Sequence, residues 1–145
     1  MPETERPLVE KLIVEANRLT RVAAQATGST TPASVWRTLS ILASDGSYRI
    51  GDLAKASRVT QPTMTKLIQN LAEDELIYRI ADVEDSRAWL IAITDKGSKA
   101  LSAWRVELGE ALQPMFAGLS PDETDILERA VAILESRTKT ARKVA

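Results

Sequence analysis

Apolar residues recur at intervals of three and four along most of the chain, so the dominant signal is helical. From about Glu5 to Ala26, Leu8, Leu12, Ala16, Leu19 and Ala23 fall on one face. Gly28-Ser29-Thr30-Thr31 ends that segment, and Thr31-Pro32 is expected to restart a helix as N-cap and first helical residue. Val35, Trp36, Leu39 and Leu42 give the second helix its stripe before Asp45-Gly46 stops it. A short helix, roughly Ile50 to Ser57, carries Leu53 and Ala54 inward, and Arg58-Val59 makes a turn. Thr60 then caps another helix, whose first turn tolerates Pro62 because an N–H there has no partner in any case. Met64, Leu67, Ile68 and Leu71 supply its buried stripe.

The period then changes. Leu76 to Ile80 and Ala88 to Ile93 read as short strands joined by the polar loop Ala81-Asp82-Val83-Glu84-Asp85-Ser86-Arg87, longer than a tight two-residue turn. Thr94 is placed to cap a long helix from about Asp95 to Phe116, striped by Leu101, Trp104, Leu108, Leu112 and Met115. Gly118 breaks it, and Ser120-Pro121-Asp122-Glu123 is a capping box that opens a final helix bearing Ile126, Leu127, Ala130, Val131 and Leu134. The terminal helices are the longest, and their apolar stripes exceed what one small domain can cover. Packing against a second copy is the expected solution, making a homodimer.

Composition narrows the chemistry. At 145 residues and 44% hydrophobic content the chain is about one globular domain. Charges interrupt every apolar stretch before the ~18–20 residues of a membrane span, so no membrane partner is expected. Met1-Pro2-Glu3-Thr4-Glu5 has neither a basic nor an apolar leader character, which gives a cytoplasmic expectation. The chain has no cysteine and no histidine. Thiol chemistry, imidazole general bases and the usual zinc ligand sets are thereby excluded, and neither a catalytic residue, a metal nor a cofactor is expected. A small enzyme built on carboxylates alone is left as a competitor; it would need two buried acids in one pocket, whereas most acids here fall in loops or on exposed helix faces. The net charge of −1 hides an uneven distribution. Between Arg49 and Gln69, the cations Arg49, Lys55, Arg58 and Lys66 meet only Asp52.

A short helix, a tight turn and a second helix opened by small polar residues is the helix-turn-helix arrangement. Its second helix enters the major groove with its N-terminal residues nearest the bases. Here the first turn holds Thr60, Gln61, Pro62, Thr63, Thr65 and Lys66. Gln can bond an adenine edge bidentately, Thr can meet a thymine methyl, and Lys can hold guanine or phosphate. Taken alone, the threonines equally read as caps that solvate an exposed helix start.

The hairpin separates those readings. Leu76-Ile77-Tyr78-Arg79, then Asp82, Asp85, Ser86 and Arg87, then Ile93-Thr94-Asp95-Lys96-Gly97, resemble the MarR family from about residue 8 to residue 140. The family pattern is a recognition helix, a wing carrying Asp-x-Arg and a strand ending in Leu-Thr-x-x-Gly, matched with Ile for Leu at position 93. The resemblance implies an α+β, mostly helical fold: a winged helix-turn-helix lobe at about 31–96, with dimerisation helices at about 5–27 and 97–143, in a single 1–145 domain. It further implies sequence-specific binding of double-stranded DNA at an inverted-repeat operator, with repression relieved by a small aromatic or apolar effector. In this reading Arg87 enters the minor groove, where the negative potential is enhanced. Asp85 is expected to hold its guanidinium. Trp36 and Trp104 are candidates for the effector pocket, though both lie on apolar helix faces where core packing explains them as well. The competing function is a winged-helix dimer that binds protein without reading DNA.

Two features depart from the pattern. Glu75 stands where the family commonly has Gly between the recognition helix and the first wing strand, so a left-handed backbone there would carry strain. Trp89 falls on the return strand, where the family usually tolerates a polar residue, and nothing in the sequence accounts for it.

Overall fold

Each hydrophobic stripe becomes an element in a computed structural model that describes residues 5–85 and 87–144, with side chains described as far as Lys139. The first four residues, where an export signal was sought, and Ser86 of the loop lie outside the described residues. The order is α1 (Arg6–Thr27), α2 (Ala33–Asp45), β1 (Tyr48–Arg49), α3 (Ile50–Ser57), α4 (Gln61–Glu73), β2 (Ile77–Ala81), β3 (Trp89–Ile93), α5 (Asp95–Leu112), a 3-10 turn (Gln113–Phe116) and α6 (Pro121–Val144). The chain divides into two compact units after Ala111. No described helix is long and apolar enough to cross a membrane.

The first unit is built around one core. Leu39 and Leu42 of α2, Leu53 and Ala54 of α3, and Met64, Ile68 and Leu71 of α4 meet Ile77, Ile91 and Leu101 from the sheet and α5. Leu39, Leu53, Met64, Ile68, Ile91 and Leu101 are fully buried, so a truncation to alanine at any of them costs about 2–5 kcal/mol. The sheet is antiparallel in the order β1-β3-β2. β1 was not foreseen, because its two residues are too short to show a period. Tyr48 pairs with Ile91 and Arg49 with Leu90, which makes the expected two-stranded hairpin a three-stranded sheet.

Two helix ends differ from expectation. Pro32, not Thr31, is the N-cap of α2, with an extended backbone (ψ 143°) and no side-chain cap. The Thr31 N–H instead donates to Ser29 Oγ at 3.2 Å. α5 stops at Leu112 and continues only as a 3-10 turn to Phe116. Pro114 explains this: it has no N–H to donate and its ring collides with the carbonyl four residues back. α1 follows the expected span, but its C-terminal end alone is buried, at Ala23, while Leu8, Leu12, Ile13 and Leu19 are exposed.

In the second unit, the capping box forms as read. The Glu123 N–H donates to Ser120 Oγ and the Ser120 N–H to Glu123 Oε1, each at 3.1 Å. α6 leaves Ile126, Val131 and Ile133 exposed.

The junction from α4 through the wing to α5 is specified by a few residues. Glu75 is left-handed, φ 62°, as the missing glycine foreshadowed. The Leu76 N–H reaches the Leu71 carbonyl and the Glu75 N–H the Ala72 carbonyl, the paired bonds of a Schellman cap. Thr94 Oγ1 donates to the Glu75 carbonyl at 2.6 Å and accepts the Gly97 N–H at 2.9 Å. Gly97 is compulsory, since a Cβ there would overlap the Leu76 carbonyl oxygen and Ile93 Cγ1. Gly97→Ala is therefore expected to lower unfolding free energy by about 2–4 kcal/mol, by backbone overlap. Glu75→Gly should raise it by roughly 0.5 kcal/mol, relief of left-handed strain outweighing the extra entropy of glycine in the unfolded chain. Paired urea titrations check both, and equal effects of the two changes would contradict this account.

Candidate nucleic-acid interface

The helix-turn-helix is held from behind by buried polar contacts. Ser57, the last residue of α3, is fully buried, and its Oγ lies 3.1 Å from Thr38 Oγ1. Arg37 Nη1 donates to the Ser57 carbonyl at 2.7 Å, satisfying an acceptor that the helix end leaves open. Arg58 follows in a left-handed conformation, φ 59°, and turns the chain into α4. Sequence reasoning missed this bracket, since nothing local pairs residues 19 or 20 positions apart.

At the start of α4 the side chains divide. Thr60 is the N-cap, its Oγ1 accepting the Thr63 N–H at 3.3 Å and donating to Thr63 Oγ1 at 2.8 Å. Thr65 Oγ1 donates back to the Gln61 carbonyl at 3.0 Å. Both of these hydroxyl protons are thus used within the helix. Gln61, Pro62, Thr63, Thr65 and Lys66 are all exposed, while Met64 and Ile68 are fully buried beneath them. The first turn of α4 therefore offers an amide, an ammonium and threonine methyls and lone pairs to whatever approaches it.

The wing is organised by two aspartates in different ways. Asp82 is only 7% exposed. Its Oδ2 accepts from Arg49 Nε at 2.8 Å and Nη2 at 2.6 Å, and its Oδ1 accepts the Glu84 N–H at 3.0 Å. The Glu84 N–H first, and the Arg49 guanidinium second, hold the Asp82 carboxyl below its ordinary value of 3.8. Asp82 in turn raises the Arg49 value. The fork ties the wing loop to β1, the strand immediately before α3. Asp82 was visible as part of the family pattern but not as an anchor, because its partner lies 33 residues away.

Asp85 was expected to hold the Arg87 guanidinium. Its Oδ1 instead accepts the Arg87 backbone N–H at 3.0 Å, an Asx turn, and no ion pair joins the two side chains among the described residues. The carboxylate shapes the loop two residues on, as a short acceptor side chain does. Arg87 itself is exposed on the wing.

Trp36 and Trp104 come together, their rings stacked at 4.8 Å between centroids and 8° between planes. They line an open cleft of about 670 Å³ with Arg21, Arg37 and Arg58 on its walls. Trp36 Nε1 is buried and without a partner among the described residues. Trp89 is 54% exposed at the base of the wing.

A helix-turn-helix whose second helix opens on exposed polar side chains, followed by a hairpin of a three-stranded antiparallel sheet, defines the winged helix-turn-helix class of DNA-binding regulators. Residues 32–89 match the MarR family. The chain belongs to that family, whose members are transcription regulators rather than enzymes. It is 32% identical to an HTH-type transcriptional regulator of Mycobacterium tuberculosis over 96 residues, 66% of this chain and 67% of that protein. It is 26% identical to the homoprotocatechuate degradative operon repressor of Escherichia coli over 106 residues, 70% of this chain and 72% of the repressor. Among solved structures, a mutant of MepR from a multidrug-resistant Staphylococcus aureus clinical isolate superposes with a TM-score of 0.74 at 25% identity, covering 90% of this chain and 96% of the other.

A depressed carboxyl stabilises the fold above its unfolded value and loses that contribution as pH falls through the folded value. Wild type should therefore exceed Asp82→Asn in thermal stability at neutral pH, with the gap closing below about pH 4. Melting curves from pH 7 to pH 3 check this; a gap that widens in acid contradicts it. Asp85→Asn keeps an acceptor for the Arg87 N–H and removes a charge, so it should bind DNA as well as wild type or better. Asp85→Ala should bind less well, by roughly threefold to tenfold, as expected for one lost hydrogen bond. Equal losses in gel-shift titrations of the two variants would restore a guanidinium partner.

Proposed function

We propose that this chain is a sequence-specific repressor that acts as a homodimer on an inverted-repeat operator and releases it when a small aromatic effector binds. One observation carries the reading: the exposed Gln61, Thr63, Thr65 and Lys66 stand on the same folded unit as the Arg87 wing, over a buried core that fixes both. Gln61 and Lys66 supply the base contacts, Thr63 and Thr65 the apolar and acceptor contacts, and Arg87 the minor-groove contact. Homodimerisation is supported by the exposed apolar residues of α1 and, separately, of α6, which a second copy of the chain covers. The relatives named above include a repressor, which favours repression over activation.

The cleft between α1, α2 and α5 is where an effector fits. Its stacked indoles match an aromatic ring, and its arginines match an anionic substituent. Arg37 connects it to the reading head, because the same guanidinium holds the Ser57 carbonyl at the end of α3. An anion that draws Arg37 into the cleft loosens that bracket. Release by about 100-fold requires roughly 2.7 kcal/mol of coupling, and DNA must weaken effector binding equally.

Selection of bound duplexes from a random pool tests the reading. The expected product is a two-fold repeat with half-site centres about 10 bp apart. Gln61→Ala should relax preference at one symmetric pair of positions, at about 1–3 kcal/mol per contact. Aromatic acids that quench tryptophan emission should lower affinity for the selected duplex. An asymmetric site, or unchanged preference after Gln61→Ala, would overturn the docking; quenching without loss of affinity would overturn the release.

A further inference from the structure

Trp89 pairs with Ala81 in the β2–β3 ladder, and Arg79 pairs with Ile91. Strand alternation therefore sets Trp89, Ile91 and Arg79 on one face of the sheet. Ile91 is 1% exposed against the core, whereas Trp89, two residues further out on the same face, is half exposed. A core face thus runs on past the core and ends in a large indole that the chain does not cover. Between it and the start of α3 lies a hollow of about 350 Å³, floored by Ile50, Ile91 and Trp89 and rimmed by Arg49, Arg79 and Arg87.

The charged residues that line this hollow are all arginines. None of its lining residues is acidic. Of the wing's acids, Asp82 is occupied by Arg49, Asp85 accepts the Arg87 backbone N–H, and Glu84 acts on Arg49 from the loop; none of the three lines the hollow. No ion pair engages Arg79 or Arg87 among the described residues. An apolar floor with free guanidinium groups at its rim suits a ligand with an apolar face and an attached anion. A deoxyribose with its phosphate has that chemistry. Because Arg87 belongs both to the hollow and to the wing, the occupant is continuous with the duplex the wing engages.

We infer that Trp89 and Arg79 form a DNA-backbone clamp at the base of the wing, the indole packing on a deoxyribose while Arg79 binds the adjoining phosphate. This rests on the DNA-binding reading above and adds to it a contact outside the recognition helix and the wing tip. Its function is positional: it reads no base, but fixes how deeply the wing enters.

Affinity for the selected duplex, measured across a salt series, separates the two partners. Trp89→Ala should weaken binding on the order of tenfold, the size of a buried aromatic anchor, with the salt slope unchanged. Trp89→Phe, which keeps a ring on the sugar, should recover most of the loss. Arg79→Ala should weaken binding and lower the salt slope by about 1 per wing. Neither should alter base preference, whereas Gln61→Ala should. In wild type, the part of the emission missing from Trp89→Phe should become shielded from acrylamide when duplex is added. If wild type binds and Gln61→Ala shifts preference, but Trp89→Ala binds as tightly and the Trp89 emission stays equally quenchable, the clamp is wrong and the DNA reading stands. A wild-type chain that binds no duplex overturns both.

Discussion

Asp82 keeps its charge in a nearly buried position because the Arg49 fork and the Glu84 N–H together replace the water it loses. At its loop end the wing's other hydrogen bonds are its own, Asp82 N–H to the Ala88 carbonyl and Ala88 N–H to the Asp85 carbonyl. Its sheet is small, and the strand on the far side of β3 has two residues. A loop on so small a sheet would sample many orientations, each carrying Arg87 with it. The fork removes that freedom by joining the start of the loop to the residue directly before α3. The wing loop is thereby tied to the residue that leads into the helix-turn-helix.

The other end of the wing is fixed by hydrogen bonding of a neutral kind. Thr94 accepts from Gly97 and donates to Glu75, so one hydroxyl closes α4, ends β3 and starts α5. Gly97 is required there because the Leu76 carbonyl lies where its Cβ would be. The family's Thr-x-x-Gly thereby acquires a physical meaning. The threonine is a shared cap, and the glycine is the space that lets two backbone segments touch. Neither contact involves DNA, and both set where the DNA-facing residues stand.

How much of this was legible depends on range. Of the stripe Met64, Leu67, Ile68 and Leu71, Leu67 is half-buried and the other three are buried, and the box at Ser120 and Glu123 closes as its local pattern demands. Interactions within one turn can be read from adjacent letters. The Arg49–Asp82 fork and the Arg37–Ser57 bond span 33 and 20 residues, and no local pattern encodes them. Asp85 shows a different limit. A carboxylate two residues before an arginine serves equally as an ion-pair partner or as an Asx acceptor, and only the loop's backbone decides. The early end of α5 was legible in principle, since Pro114 marks it.

Arg58 and Glu75 bracket the recognition helix with the same device. Both are left-handed and neither is glycine. At each, paired backbone bonds close the preceding helix: Arg58 to Lys55 and Val59 to Ala54, then Glu75 to Ala72 and Leu76 to Leu71. Glycine would fit both with less strain, by about 1 kcal/mol apiece. The two side chains differ in what they do there. Glu75 only approaches Lys96, a 3.8 Å pair in open solvent worth under ~1 kcal/mol. Arg58 is different, because it sits at the turn that aims α4 and also on the wall of the tryptophan cleft. The left-handed residue there carries a guanidinium on the cleft wall, a position glycine would leave empty.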